Sequence, residues 1–339
     1  MMPRIGLDAR CGRHISVGMR TYIEEVSARL PRVAPEFEYR VYTQGENLGA
    51  RDQFALPLQM WHDRIDIAHF MSQYVPLFAG GRFLFTIHDV IHLRYLEFFK
   101  PTVAPYYRAV VRRAARRATR IITSDNRTVA DLVTRLGADP AKIRVVPLAP
   151  RERFFTQASP HRGPRPYFIN VGNHRTHKDI PTLLHAWSSL PARYDIDLYF
   201  TGPDDFDGEL QRCSTGRRRA LALGDIDDDA LASYYAGAFA LVHPSLLEGF
   251  GLPFVEAMAQ GCPVIATVTS IPDPVADAAL LFEARDVEGA RAQLERLLDD
   301  QALRTALVER GREAVAALSW DRTARETADV YREIVEEGR

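Results

Sequence analysis

Short apolar runs alternate with stretches of helical periodicity along nearly the whole chain, and few folds accept that alternation. In the first half, residues 4–9, 39–43, 65–70, 83–87, 121–124 and 143–147 read as strands. Residues 18–30, 106–118 and 127–136 read as helices between them. A helix between two strands returns the chain to the same edge of the sheet, so the strands run parallel and the sheet is wound on both faces. The pattern breaks at PRERFFTQASPHRGPRP, residues 150–166, where prolines and charges replace periodicity. It then restarts with strands at 167–172, 196–202, 219–224 and 240–243 and helices at 180–190 and 228–236. The prediction is therefore α/β: two doubly wound parallel-sheet domains, residues 1–150 and 167–318, joined by a linker at 151–166. Ser319 can cap a last amphipathic helix, residues 319–339, with Trp320, Ala324, Ala328, Tyr331 and Val335 on one face, expected to pack back toward the first domain.

A chain of 339 residues is long for one core, which agrees with two domains. A formal net charge of −1 lacks the basic field of a dedicated nucleic-acid binder, and no nucleic-acid partner is expected. The opening MMPRIGLDAR has no signal-like apolar stretch, and no run of about 18 apolar residues occurs, so a cytoplasmic protein is expected. Cys11, Cys213 and Cys262 are widely spaced and odd in number, and read as free thiols.

The densest local signal is LVHPSLLEGFGLPFVEAMAQGCPVIA, residues 241–266: a strand, a glycine-containing turn, and a helix with Pro253 in its first turn. Ligands of open α/β sheets bind outside the carboxyl ends of the strands, where this loop must lie. Gly249 and Gly251 let a ligand approach the backbone, and amides at a helix start favour negative oxygen. Glu248 in the loop and Glu256 in the helix, separated by seven residues, place an acid on each side. A surface acid and a solvated helix acid would give the same spacing by chance.

Taken whole, the string resembles the signature of the retaining glycosyltransferases of family four, and the resemblance extends over nearly the whole chain. It implies the GT-B architecture, two Rossmann-like domains facing a cleft, with the acceptor on the amino-terminal side and a nucleotide diphosphate sugar on the other. In that family the first acid and the adjacent amides meet the donor sugar and the second acid meets the ribose. These roles fall here on Glu248, Gly249, Phe250, Gly251 and Leu252, then on Glu256. NVGNHRTHKDIPTLL, residues 170–184, is similar to the stretch whose lysine meets the diphosphate, which is Lys178. Many members carry arginine directly after the glycine; this chain has Asn173, and Arg175 is the candidate for the missing charge. GDIDDDALASYY, residues 224–235, resembles the base-binding segment, with Ile226 against the ring and Asp228 toward a base edge. An acidic first helical turn explains the same aspartates equally well.

In the first domain, SVGMRTY at 16–22 resembles the loop whose glycine admits the diphosphate, pointing to Gly18, although Arg20 stands where many relatives have a second glycine. FTIHDVIHL at 85–93 resembles the strand end whose histidine approaches the donor sugar, pointing to His88. His88, Glu248 and Lys178 are thus the expected catalytic groups. Leaving phosphates need a metal or fixed cations and amides. Asp227–Asp229 contains an Asp-x-Asp, but it opens a helix away from the expected diphosphate, so neither metal nor resident cofactor is expected.

The resemblance thus implies retaining, metal-independent transfer of a hexose, best assigned as mannose from GDP-mannose, to a saccharide or lipid-linked glycan in polysaccharide assembly. A nucleotide-sugar epimerase on the same architecture and a non-catalytic nucleotide-sugar binder are the alternatives. YYRAVVRRAARRATR, residues 106–120, holds six arginines and no acid. It reads either as an ordinary solvated helix face or as a peripheral contact with the inner face of a membrane.

Overall fold

The computed structural model describes residues 2–11 and 15–338. The chain divides into two compact units, residues 1–148 with 319–339, and residues 149–318.

The first unit is built on six parallel strands: β1 (Arg4–Asp8), β2 (Glu38–Tyr42), β3 (Ile67–Phe70), β4 (Arg82–Thr86), β5 (Arg120–Thr123) and β6 (Ile143–Val145), in the order β2-β1-β3-β4-β5-β6. The interiors of β1, β3, β4 and β5 are buried and largely apolar, as a sheet covered on both faces requires, while the edge strand β2 is mostly exposed. Helix Val17–Val33 starts where the Ser16 hydroxyl accepts the Met19 amide. Helix Asp52–His62, which carried no sequence signal above, connects β2 to β3. The stretch read as helix at 106–118 is helical from Val103 to Arg117, with a wider π turn over Tyr107–Val111. Leu56 and Met60 from one helix and Tyr107, Val111, Ala114 and Ala115 from the other enter one core on the same face of the sheet.

Helix Trp320–Glu336 is capped by the Ser319 hydroxyl and belongs to this unit. Its buried face runs through Trp320, Ala324, Ala328 and Tyr331, but ends in Ile334 rather than Val335, which is only half-buried. Tyr331 Oη lies 2.7 Å from His69 Nδ1, His69 Nε2 lies 2.9 Å from Thr86 Oγ1, and Tyr22 Oη lies 2.8 Å from that same hydroxyl. Two helices and two strands are thereby tied through one buried polar chain. Burial pushes the His69 pKa down to about 3, so the ring is neutral there.

The second unit has β7 (Tyr167–Asn170), β8 (Asp197–Phe200), β9 (Ala220–Ala222), β10 (Ala240–His243), β11 (Val264–Thr267) and β12 (Ala279–Phe282), all parallel, ordered β12-β11-β10-β7-β8-β9. Read from β9, this is the 3-2-1-4-5-6 order of a dinucleotide-type doubly wound sheet, with its topological switch point between β7 and β10. Trp187, Phe168 and Phe200 centre the core beneath it. Helices Val287–Asp299 and Gln301–Ala316, capped by the Asp286 and Asp300 carboxylates, complete the unit.

The stretch 151–166, expected as a linker without secondary structure, is corrected in part. Glu152–Phe155 forms a short 3-10 helix with Phe154 fully buried. Gln260 Nε2 donates to the carbonyls of Phe154 at 2.7 Å and Thr156 at 2.9 Å, and Gln260 Oε1 accepts the Ala158 amide at 3.0 Å. One amide side chain supplies three backbone partners, which proline-rich sequence alone could not disclose.

Candidate functional site

At the switch point, β7 and β10 send their following loops apart. Asn170, the last residue of β7, donates from Nδ2 to the Val242 carbonyl at 2.8 Å and so ties the two strand ends. After β7 the chain runs to a short turn, Thr176–Lys178; after β10 it runs through Glu248 to helix Leu252–Ala259. Lys178 Nζ donates to Glu248 Oε1 at 2.6 Å, joining loops seventy positions apart in sequence. His243 Nε2 lies 2.8 Å from the same oxygen.

Burial alone would raise the Glu248 pKa, but Lys178 and His243 outweigh it and hold the carboxyl well below its usual range. Burial lowers the pKa of His243 against the opposing pull of Glu248. The imidazole is therefore neutral at neutral pH. A carboxylate only accepts, so Nε2 carries the proton and Nδ1 the lone pair. That Nδ1 is buried without a protein partner, and the imidazole stands nearly perpendicular to the Phe254 ring with ring centroids 5.0 Å apart. His243 was missed from the sequence although it lies inside the quoted string. The signal available was a histidine at the carboxyl end of the fourth strand of a doubly wound order.

Gly251 precedes the helix with φ +81, and a Cβ there would meet the Phe254 ring at 2.4 Å. Only glycine fits both the dihedral and the ring. Phe250 is buried, so its side chain serves packing and only its backbone can face a ligand. Gly249 and Leu252 are half-buried. Pro253 has no amide hydrogen and the Phe254 amide donates to the Gly251 carbonyl at 3.0 Å, which leaves the Gly251 and Leu252 amides at this helix start for anionic oxygen.

A second cluster surrounds Glu256. Arg151 Nη1 stands 2.5 Å from Asp228 Oδ2, and Arg151 Nη2 stands 3.7 Å from Glu256 Oε1. Its guanidinium lies 5.5 Å from the centroid of Phe154. Burial pushes the Glu256 pKa up to about 7, Arg151 pulling it down and Asp228 adding to the rise. Tyr235 Oη, fully buried, has no protein partner. Arg151 too was missed, because it sat in the stretch read as linker.

The three aspartates divide their tasks. Asp227 caps helix Asp228–Gly237 by accepting the Ala230 amide, Asp228 pairs with Arg151, and Asp229 pairs with Arg153. All three open this helix, as the acidic-turn reading has it, and Asp228 is in addition linked through Arg151 to Glu256. Ile226 is half-buried at the end of the preceding loop. Asn173 and Arg175 are exposed, and the Asn173 side chain accepts the Arg175 amide at 3.4 Å. The structure draws neither into the Lys178–Glu248 pair.

In the first unit, Gly18 falls in the opening turn of helix Val17–Val33. His88 follows β4 and is buried, with Tyr22 packed edge-on at 4.7 Å between ring centroids. Burial lowers its pKa to about 4, and neither ring nitrogen has a protein partner. Thr128 Oγ1 donates to the His88 carbonyl, and Asp89 accepts the Ile91 amide, so this neighbouring acid shapes the turn. His92 Nδ1 lies 3.2 Å from Tyr107 Oη.

Two family models match the chain. One described as Glycosyltransferase Family 4 covers residues 18–149, and one described as Glycosyl transferases group 1 covers residues 152–314. The chain is 34% identical over 173 residues to O-antigen chain mannosyltransferase B of Escherichia coli, covering 49% of this chain and 45% of that protein. It is 30% identical over 252 residues to the MMP alpha-(1->4)-mannosyltransferase of Mycolicibacterium hassiacum, covering 70% of this chain and 60% of that protein. The chain thus spans about half of the length of these curated relatives. Sucrose-phosphate synthase from Thermosynechococcus elongatus shares the fold, with a TM-score of 0.76 at 20% identity over 99% of this chain and all of that one.

Proposed function

The chain belongs to the glycosyltransferases of family four, with the GT-B fold, and on that premise we propose that it transfers a hexose, mannose from GDP-mannose, to a saccharide or lipid-linked glycan with retention of configuration. The observation that carries this reading is the Lys178–Glu248–His243 cluster at the topological switch point, beside the start of helix Leu252–Ala259. Mannose is chosen because both relatives described above are named as mannosyltransferases.

The assigned roles follow from charge and position. Lys178 and the Gly251 and Leu252 amides take the diphosphate oxygens, where charge grows as the bond to the anomeric carbon breaks. Glu248, ionised and oriented by His243, accepts sugar hydroxyls. Glu256 accepts the ribose hydroxyls and Asp228 a base edge, both exchanging Arg151 for ligand. His88, neutral with two open ring nitrogens, is assigned to the sugar. Gly18, Ile226, Asn173 and Arg175 remain donor-binding assignments. The site needs no metal in this reading, since Asp227, Asp228 and Asp229 already hold a helix amide and two arginines.

The test is thermal stabilisation by GDP, UDP and ADP with and without EDTA, followed by transfer from GDP-mannose to a mannosyl acceptor. A ligand that binds only the folded form raises the melting temperature. Stabilisation by GDP that EDTA leaves unchanged, with transfer lost in Glu248→Ala, is expected. Absence of stabilisation by any nucleotide diphosphate, or normal transfer in Glu248→Ala, overturns the reading.

A further inference from the structure

Helix Asp52–His62 turns an apolar stripe to solvent. Phe54, Leu58 and Trp61 stand at i, i+4 and i+7 on its outer side and are all exposed, while Leu56 and Met60 on the opposite side enter the core. Phe78, in the loop after β3, stacks on Phe54 with ring centroids 4.2 Å apart, and Leu77 beside it is exposed as well. A single exposed leucine needs no explanation; five large apolar side chains gathered in one patch do.

The neighbouring helical stretch Val103–Arg117 shares the core and the sheet face with this helix. Between residues 103 and 117 it holds five arginines and no acid, and all five are exposed. Arg117 Nη2 donates to the Ala79 carbonyl at 3.0 Å, next to Phe78, so the cationic row begins where the apolar patch ends. The nearest acids of the stripe are already engaged: Asp52 accepts the Glu46 amide, and Asp63 accepts the Tyr42 hydroxyl and Arg40.

We propose that this face of the first unit docks on an anionic lipid bilayer, the stripe entering the interfacial zone and the arginines meeting lipid phosphates. The charge pattern chooses a bilayer: five exposed arginines with no acid among them want a broad surface of anionic oxygen, and an exposed tryptophan suits the headgroup level. No helix among the described residues is long and apolar enough to cross a membrane, so the contact is peripheral. The proposal concerns a surface apart from the donor-site residues and stands or falls independently of them.

Trp61 is 77% exposed, whereas Trp187 and Trp320 are buried, so tryptophan emission reports on this patch directly. The full chain is titrated with vesicles of phosphatidylcholine containing about one third phosphatidylglycerol, and with phosphatidylcholine alone. The expected result is a blue shift of emission and protection from acrylamide with the anionic vesicles only, reversed by high salt. Replacing Arg113 and Arg117 by glutamine weakens partitioning roughly fivefold for each arginine lost. Leu58→Ser weakens it while leaving the melting temperature unchanged, which separates docking from folding. Unshifted emission with anionic vesicles, equal partitioning to neutral ones, or Trp61 shielded without lipid in a concentration-dependent oligomer would each overturn the proposal.

Discussion

Lys178 Nζ stands 2.6 Å from Glu248 Oε1, and both side chains are largely withdrawn from solvent. The pair joins the two loops that diverge at the switch point of the second sheet. Neither charge would be tolerable there alone, since an isolated buried ion loses hydration that only a partner can replace. In the proposed reading the pair is also an opening for the donor: a diphosphate replaces Glu248 on the ammonium, and sugar hydroxyls replace Lys178 on the carboxylate.

Lys178→Ala should therefore weaken both binding and folding. Removing one partner of a buried pair costs on the order of 3–5 kcal/mol at the upper end, less here because His243 still donates to Glu248. Because the Glu248 pKa is lowered on folding, its contribution is present above the unfolded value near 4.5 and is lost as pH falls. The variant should thus show a smaller drop in stability than the parent as pH falls below about 4.5, read by thermal melting, together with weaker GDP binding by calorimetry. An unaltered acid limb would contradict the assigned coupling.

Glu256 has the opposite sign. Its pKa is raised to about 7 in the folded chain, so its contribution is whole below about 4.5 and is lost as pH rises toward 7. Glu256→Gln should raise the melting temperature relative to the parent at pH 8, by the equivalent of roughly 1–3 kcal/mol, and change it little at pH 4.5. If Glu256 accepts the ribose hydroxyls as a carboxylate, GDP affinity of the parent should climb between pH 6 and pH 8 and that climb should vanish in the variant.

Tyr331→Phe removes the hydroxyl 2.7 Å from His69 Nδ1 and strands a buried ring nitrogen, at a cost of about 1–3 kcal/mol. The loss should appear as a lower melting temperature with GDP binding unchanged. His69 and His88 have pKa values lowered to about 3 and about 4, so the stability tied to their neutral forms is complete above about 6.5 and fades as pH falls toward those values.

Gly251→Ala places a Cβ 2.4 Å from the Phe254 ring at a φ of +81. A destabilisation of about 1–3 kcal/mol is expected, with loss of transfer greater than the loss of fold, because the shifted loop carries Glu248. Parent-like turnover would show that the loop tolerates the change.

Much of the architecture was legible because it is local chemistry. Apolar runs separated by helical periodicity dictated parallel sheets, Ser319 dictated the start of the last helix, and the 241–266 string displayed strand, turn and helix in order. Helix Asp52–His62 escaped notice because its outer side is apolar too, which erases the polar half of the usual periodicity.

What the sequence determined alone was thus the period of each element, the breaks between them, and the residue types available at the strand ends. Which of those residues meet was decided by strand order. Bringing β7 beside β10 sets Lys178 against Glu248 and His243, and packing 151–158 around Gln260 sets Arg151 between Asp228 and Glu256. The shifted ionisation of those groups follows from the same placement, because burial and partner charge act through distance in space, which sequence separation does not encode.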